Sequence, residues 1–157
     1  MKPEIGIANK DLEKSISVLT VLLSDEVILY TKTRKFHWNV RGESFMELHK
    51  LFQTQYTQLE EIIDEVAERI SKLGGKTIGT TAEFAQYTRL KEHPDHYPGQ
   101  KEMLKELLAD HESVVVELRK DIDEGSEKNK DAGTIDFLTG LMEKHETTAW
   151  VLRRYLN

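Results

Sequence analysis

The spacing of apolar residues is the feature that most limits how this chain can fold. Four long segments repeat apolar side chains every three or four residues, a period typical of amphipathic helices. No stretch shows the alternation of a strand, and glycine and proline occupy only nine and three positions. The pattern therefore predicts an all-α protein. The four apolar series run from Leu12 to Tyr30, from Phe45 to Leu73, from Leu104 to Ile122 and from Leu138 to Leu156.

Local signals set the expected ends of these helices. Either Asn9 or Asp11 is predicted to cap the first helix, which is expected to reach about His37. The second helix is expected to stop at Gly74-Gly75, because glycine readily adopts the left-handed conformation that ends many helices. For the same reason the third helix is expected to end near Gly125. The fourth should reach the C-terminus.

The connection between the second and third helices is long. It spans roughly 25 residues, more than a helix–helix turn needs, so we expect a short extra helix near Ala82–Tyr87. Two short connections and one long crossover predict a four-helix bundle with ferritin-like connectivity. We expect one domain over residues 1–157, with a short N-terminal tail over residues 1–8. Such bundles host many functions, so the fold alone does not identify the chemistry.

Composition excludes several classes of protein. The chain has no cysteine, which excludes thiolate metal sites and disulfide frameworks. Its formal net charge of −6 disfavours a general nucleic-acid-binding surface and suits the attraction of small cations. No apolar stretch is long enough to cross a membrane, and the first residues do not resemble a secretion signal. We therefore expect a cytoplasmic protein without a membrane partner.

The histidines and carboxylates do not form the usual internal di-iron motif. Ferritin-like bundles generally use Glu-x-x-His on two helices, and no glutamate in this chain has a histidine three residues later. The remaining candidates are His37, His49, Asp64 and Glu68, whose imidazole and carboxylate groups suit iron, manganese or zinc. His49 precedes Asp64 by fifteen residues, about 22 Å along a straight helix, so the two cannot hold one metal within a single chain.

A site shared between subunits would resolve this separation. The turn after the first helix reverses the chain, which allows His37 to meet His49. Asp64 and Glu68 lie four apart on a face directed away from the apolar stripe. These two half-sites would join if a second subunit, related by a two-fold axis, placed its second helix antiparallel to the first. From spacing alone, a solvated acidic face and two packed or hydrogen-bonded histidines are favoured over metal ligands.

One group of residues resembles the signature of a known family. The match is to the Dps family, the starvation-induced DNA-protecting members of the ferritin superfamily. Its core covers about 40 residues and the helix pattern extends it over nearly the whole chain. The matching residues are His37-Trp38-Asn39-Val40-Arg41-Gly42, Phe45, Leu48-His49, Phe52, Asp64, Ala67-Glu68-Arg69-Ile70 and Leu73-Gly74-Gly75.

The resemblance implies a ferroxidase, an oxidoreductase that acts on metal ions. It implies that His37 and His49 of one subunit and Asp64 and Glu68 of the next bind two irons in a homo-dodecameric shell. Iron(II) would be oxidised by hydrogen peroxide, with dioxygen slower, and stored as ferric mineral, which protects the cell and its DNA. Trp38 resembles a family tryptophan that intercepts radicals, although packing at the dimer interface is an equal alternative.

Two departures from the family pattern modify these expectations. Many members carry an aspartate four residues after the second histidine, where this chain has Gln53, so we expect one iron position to be weak. The family admits iron through acidic pores, and the matching positions resemble Asp131 and Asp136, with Glu143 a weaker match. Gly140 stands where some relatives have a further aspartate. Asp131 is equally well explained as the N-cap of the last helix.

DNA binding and two other functions remain as alternatives. Family members that bind DNA usually use a lysine-rich tail, whereas the lysines Lys2, Lys10 and Lys14 are mixed with acidic residues here. DNA binding, with a nucleoid location and secondary ferroxidase activity, is therefore not favoured. A non-catalytic helical scaffold is a second alternative. A manganese-catalase-like enzyme is a third, although the Glu-x-x-His pairs it would need are absent. The other histidines, His93, His96, His111 and His145, match no ligand position.

Overall fold

The bundle consists of long helices joined by the predicted crossover. The structure, a computed structural model, describes residues 3–128 and 131–156, and within those ranges it contains helices and no strand. This confirms the all-α, ferritin-like prediction. The helices are α1 (Asn9–Asn39), α2 (Phe45–Lys72), α3 (Thr81–Tyr87), α4 (Gln100–Lys128) and α5 (Ala132–Leu156).

The first helix begins without the predicted side-chain cap. Ala8 occupies the N-cap position and makes no side-chain hydrogen bond, so the assignment of Asn9 or Asp11 as the cap is wrong. Asp11 instead lies in the first turn, where a carboxylate is stabilised by the helix dipole. At the other end the Val40 amide donates to the Phe36 carbonyl at 2.8 Å. The chain then reverses over residues 40–44 and enters α2.

The second helix ends where the glycines predict. Gly74 has a φ of +82°, the left-handed conformation that only glycine adopts at little cost. Its amide donates to the Ser71 carbonyl at 2.9 Å, and the amide of Gly75 donates to the Ile70 carbonyl at 3.0 Å. These two bonds satisfy carbonyls that the helix leaves free at its end. The chain is thereby turned away from the helix axis and into the crossover.

The short helix in the crossover is confirmed and has its own cap. In α3 the Thr80 hydroxyl accepts from the Glu83 amide, while the Glu83 carboxylate accepts from the Thr80 amide at 2.9 Å. This reciprocal capping box stabilises a helix of only seven residues. The hydrogen bonds to Glu83, led by that from the Thr80 hydroxyl, lower the pKa of the Glu83 carboxyl below its usual value.

The third long helix continues past the predicted stop. Gly125 lies inside α4, which extends to Lys128, so the expected end near Gly125 is wrong. A Cβ at Gly125 would overlap Cδ1 of Ile135 on α5. The glycine is therefore explained by the close approach of α4 and α5 rather than by a helix end.

The core is formed where α1 packs along α2 and α4 packs along α5. Its fully buried side chains include aromatic and aliphatic residues from all four long helices, among them Leu19, Phe36, Phe52, Ile70, Leu107, Leu118 and Leu152. Among the described residues, no helix is both long and apolar enough for a transmembrane segment. Trp38 and Trp150 remain 65% and 52% exposed, so neither tryptophan belongs to this core.

Candidate metal centre

Two histidines meet at the junction of α1 and α2. His37 lies in the last turns of α1 and His49 near the start of α2, and the reversal between the helices brings them together. Their rings stack with centroids 3.8 Å apart and an interplanar angle of 17°. His37 is buried at 8% exposure, whereas His49 is half-buried. The structure thus places side by side two residues that the sequence identified as one half-site.

The hydrogen bonds of the pair fix the tautomer of each ring. Nδ1 of His37 lies 2.7 Å from the carbonyl oxygen of His49, and Nδ1 of His49 lies 2.9 Å from that of His37. A carbonyl can only accept, so each Nδ1 must carry the proton. In its neutral form each ring therefore presents Nε2 as a lone pair. Metal-binding histidines in proteins are commonly oriented in this way.

The two carboxylates of the expected site lie elsewhere on α2. Asp64 and Glu68 are both exposed, and Glu68 makes a surface ion pair with Lys72 at 2.9 Å. The described part of the chain contains no group of three or more His, Asp or Glu side chains arranged to hold a metal ion. Within one subunit the histidine pair and the two carboxylates therefore remain separate, as the fifteen-residue spacing requires.

An arginine and two tyrosines next to the histidines were not predicted. The rings of Tyr56 and His37 make a T-shaped contact with centroids 5.2 Å apart. Nη1 of Arg34 donates to the Tyr30 hydroxyl at 2.6 Å. The Arg34 guanidinium also lies 5.1 Å from the Tyr56 ring and 5.2 Å from the Trp38 ring. Tyr30, Arg34 and Trp38 occur at intervals of four on α1, a spacing that places them on one face. That spacing was a signal available in the sequence.

Asp131 has the structural role that was the alternative to a pore. It is 1% exposed, its Oδ1 accepts from the Thr134 amide at 3.0 Å, and the same oxygen lies 3.2 Å from Arg69 Nη2. These contacts make Asp131 the N-terminal cap of α5, so its assignment to a solvent-lined pore is disfavoured. Asp136 is exposed and stays a pore candidate.

Because Asp131 caps α5 as a carboxylate, the stability of the fold depends on pH under acidic conditions. Burial acts to raise the pKa of Asp131, but hydrogen bonds from Thr134 and Ser15 and the charge of Arg69 outweigh it and lower the pKa below its usual 3.8. The ionised carboxylate therefore stabilises the fold above that value, and the stabilisation is lost as pH falls through the lowered pKa. We expect Asp131→Ala to cost about 1–2 kcal/mol at pH 7. Urea unfolding at pH 7 and pH 3 should show this deficit shrinking in acid; a constant deficit would contradict it.

The four unassigned histidines form two separate pairs. His93 and His96 lie in the crossover at the surface, with ring centroids 6.0 Å apart, and His96 Nε2 is 2.6 Å from Glu106 on α4. His111 and His145 are instead buried in the bundle, where their Nδ1 atoms are 2.9 Å apart. Spacing along the sequence gives no indication of this second pair, because its members are 34 residues apart.

Comparison with known proteins identifies the fold family. The family model described as a ferritin-like domain matches residues 16–157. A low temperature-induced protein of Nostoc, itself uncharacterized, is 41% identical over 152 residues, covering 97% of this chain and 85% of that protein. The DNA protection during starvation protein 2 of Bacillus anthracis is 36% identical over 144 residues, covering 90% of this chain and 96% of that protein.

Solved structures agree with this assignment. DpsC from Streptomyces coelicolor superposes with a TM-score of 0.95 at 30% identity, covering all of this chain and 91% of that one. The Dps protein of Vibrio cholerae, described as a member of a superfamily of ferritin-like diiron-carboxylate proteins, gives a TM-score of 0.92 at 28% identity. The match covers 99% of this chain and 97% of the Vibrio cholerae chain. Fold, family model and relatives therefore agree that the chain belongs to the Dps family of ferritin-like proteins.

Proposed function

We propose that this chain is the subunit of an iron-oxidising and iron-storing shell that protects the cell and its DNA against oxidative damage. Twelve copies would enclose the cavity, and two iron(II) ions would be oxidised at each site between subunits. Hydrogen peroxide is the proposed oxidant, with dioxygen slower, and the proposed location is the cytoplasm. The ligands are His37 and His49 from one subunit and Asp64 and Glu68 from its two-fold partner.

The main support for this proposal is that His37 and His49 each contact a main-chain carbonyl through Nδ1 and leave Nε2 free. Both rings offer an Nε2 lone pair at one end of α2, yet the described residues of the same chain supply no third ligand there. A metal site with two imidazoles needs further oxygen ligands to neutralise the charge of iron(II). Exposed Asp64 and Glu68 at the other end of α2 can supply them only to another copy of the chain. An antiparallel dimer would then contain two equivalent sites.

The proposed reaction removes two electrons from a pair of substrate iron ions. Each iron(II) gives up one electron, the O–O bond of hydrogen peroxide breaks, and two protons complete two molecules of water. Placing two ions in one site lets both electrons leave together, which avoids release of the hydroxyl radical. The proposed role of Trp38 is to be oxidised by any radical that escapes; its exposure and its position next to His37 in the chain support this role.

The direct test is the rate of iron oxidation by the native assembly. Stopped-flow mixing of iron(II) with hydrogen peroxide should show a fast phase that falls at least tenfold in a His37→Ala/His49→Ala variant, since losing even a residue that only orients a ligand typically costs about tenfold or more. His93→Ala/His96→Ala is the matched control, because those histidines are exposed and belong to the crossover. The mass of the assembly should equal twelve chains of 18.2 kDa. Unchanged rates in the first variant would refute the proposed ligands. A wild-type protein without any fast phase would favour the scaffold, and oxygen evolution from peroxide without iron would favour the catalase.

Gln53 provides a prediction about the second iron. It is exposed on α2 one turn after His49, where many family members have an aspartate. A neutral amide cannot offset the charge of a cation as a carboxylate does. We therefore expect Gln53→Asp to bind the second iron(II) roughly tenfold more tightly, measured by anaerobic calorimetry. Gln58→Asp, two turns away from the histidines, is the control; identical isotherms for wild type and Gln53→Asp would refute the prediction.

DNA binding is not expected at physiological salt. The described N-terminal residues carry Lys10 and Lys14 beside Asp11 and Glu13, so this end has no excess of positive charge. Assembly multiplies the net charge of −6 as well as any weak contacts. In a gel-shift series from low to moderate salt, any complex should be lost well before about 150 mM. A complex that persists at that salt would show that DNA protection involves direct binding.

A further inference from the structure

Four of the buried polar side chains come one from each long helix. Glu26 comes from α1, Gln55 from α2, His111 from α4 and His145 from α5, and none is more than 4% exposed. Three of them form a chain of hydrogen bonds. Nε2 of His145 lies 2.8 Å from Oε1 of Glu26, and Nδ1 of His145 lies 2.9 Å from Nδ1 of His111.

This chain determines which ring atom of His111 is free. When Glu26 is a carboxylate and the His145 ring is neutral, His145 donates its Nε2–H to Glu26 and is left with an Nδ1 lone pair. His111 must then donate its own Nδ1–H to that lone pair, so Nε2 of His111 becomes a bare acceptor. Burial, followed by the neighbouring His145, lowers the pKa of His111 well below its usual value, which keeps the ring neutral.

Three buried acceptor atoms of these side chains have no hydrogen-bond donor among the described residues. Nε2 of His111, Oε1 of Gln55 and Oε2 of Glu26 are buried, and none has a hydrogen-bond partner among the described residues. An acceptor that stays unpaired in the interior destabilises the fold, because it has lost its hydrogen bonds to water. His111 and Gln55 line the same cavity of about 260 Å³ between α2 and α5. The cavity is large enough for an ion with several waters.

We propose that this cavity binds one divalent transition-metal ion, with Nε2 of His111 and Oε1 of Gln55 as its protein ligands. The imidazole nitrogen suits zinc, iron(II), copper and nickel, and the amide oxygen adds a neutral oxygen ligand. Waters in the cavity complete the coordination, while the hydrogen-bond chain from Glu26 through His145 orients the His111 ring. A single water could donate to both free acceptors, whereas a cation accepts a lone pair from each of them. Glu26 is not among the residues that line the cavity, so its carboxylate acts on the ion only through the hydrogen bonds of His145 and His111.

This site differs from the proposed site between subunits. It uses none of the residues His37, His49, Asp64 or Glu68, and it takes all its ligands from one chain. It also lacks the Glu-x-x-His pairs of an internal di-iron centre, so it would hold one ion rather than two. Its existence does not depend on the proposed ferroxidase function.

The test uses cobalt(II), whose visible absorption reports coordination by nitrogen and oxygen. The metal-free native assembly is prepared as His37→Ala/His49→Ala, which removes the imidazole half of the other proposed site. One cobalt(II) per subunit should remain whose binding weakens at least tenfold when Gln55→Leu or His111→Gln is added. Gln55→Leu leaves the histidine chain intact and removes a buried unpaired oxygen, so this variant is expected to fold. Gln58→Leu, on the exposed rim of the same cavity, is the matched control and should not change binding.

Crystals soaked in cobalt(II) give the decisive result. An anomalous peak should lie about 2.1 Å from Nε2 of His111 and disappear in Gln55→Leu. An ordered water in place of the peak would overturn the proposal. So would cobalt(II) affinity that is identical in wild-type, Gln55→Leu and His111→Gln backgrounds, because any bound ion would then occupy other surface groups.

Discussion

Mixing two inactive variants should restore about one quarter of wild-type iron oxidation. His49→Ala removes the imidazole half of the proposed site and Glu68→Ala removes the acidic half, so each variant alone should be nearly inactive. When the two are unfolded together and reassembled, random pairing makes half of the dimers mixed. In a mixed dimer one of the two sites has both halves intact and the other has neither. The measurement is the stopped-flow rate per subunit after reassembly.

The result separates a shared site from one contained in a single chain. If both halves came from the same polypeptide, every subunit of the mixture would carry one defect and no activity would return. His49→Ala mixed with His37→Ala is the matched control, because both variants lack the same half and should not complement one another. Assembly of each mixture is checked by its mass, so that a failure to reassemble is not mistaken for a failure to complement.

Arg89→Met should destabilise the fold by about 3–5 kcal/mol. Asp25 on α1 is 1% exposed, and its oxygens accept from the Thr88 hydroxyl at 2.9 Å, the Arg89 amide at 2.6 Å and Arg89 Nε at 2.7 Å. Arg89 also approaches Glu117 and Asp121 on α4 at 3.3 and 3.4 Å. Removing the guanidinium leaves the buried Asp25 carboxylate without its cation. Urea unfolding followed by circular dichroism, at fixed protein concentration, measures the loss.

A double variant identifies the cause of that loss. Asn in place of Asp25 removes the negative charge but can still accept from the Thr88 hydroxyl and the amide of residue 89. Asp25→Asn/Arg89→Met should therefore regain most of the stability lost in Arg89→Met, because removing both charges costs less than removing one. If the double variant were less stable than Arg89→Met alone, the loss would come from packing rather than from an unpaired charge.

The helices were predictable because each depends on a local pattern. Apolar residues three and four apart indicate a helix whatever it packs against, and the left-handed Gly74 ends α2 by a local hydrogen-bond pattern. Gly125 was misread because its role is tertiary: it makes room for Ile135, and nothing nearby in the sequence indicates that neighbour. The cap of α1 was misread because the ends of helices depend on small differences between adjacent residues.

The candidate site was predictable only in part. The meeting of His37 with His49 follows from a chain reversal between adjacent helices, which the sequence indicates. The Tyr56 contact to His37 and the buried Glu26–His145 hydrogen bond join residues of different helices, so helical spacing cannot reveal them. For Asp131 the residue type could not decide the role, because aspartate serves both as a helix cap and as a pore carboxylate. Burial distinguishes them only once the fold is known.

The reciprocal bonds of the histidine pair have a consequence for how that pair tolerates change. Each Nδ1–H is held by a main-chain carbonyl of the other position, not by the other imidazole. Alanine at position 49 would still offer its carbonyl to His37, so the surviving ring would keep its proton on the same nitrogen. One histidine can thus be replaced without changing the tautomer of the other. A single replacement at position 37 or 49 therefore measures the contribution of one coordinating nitrogen, because the other remains in place.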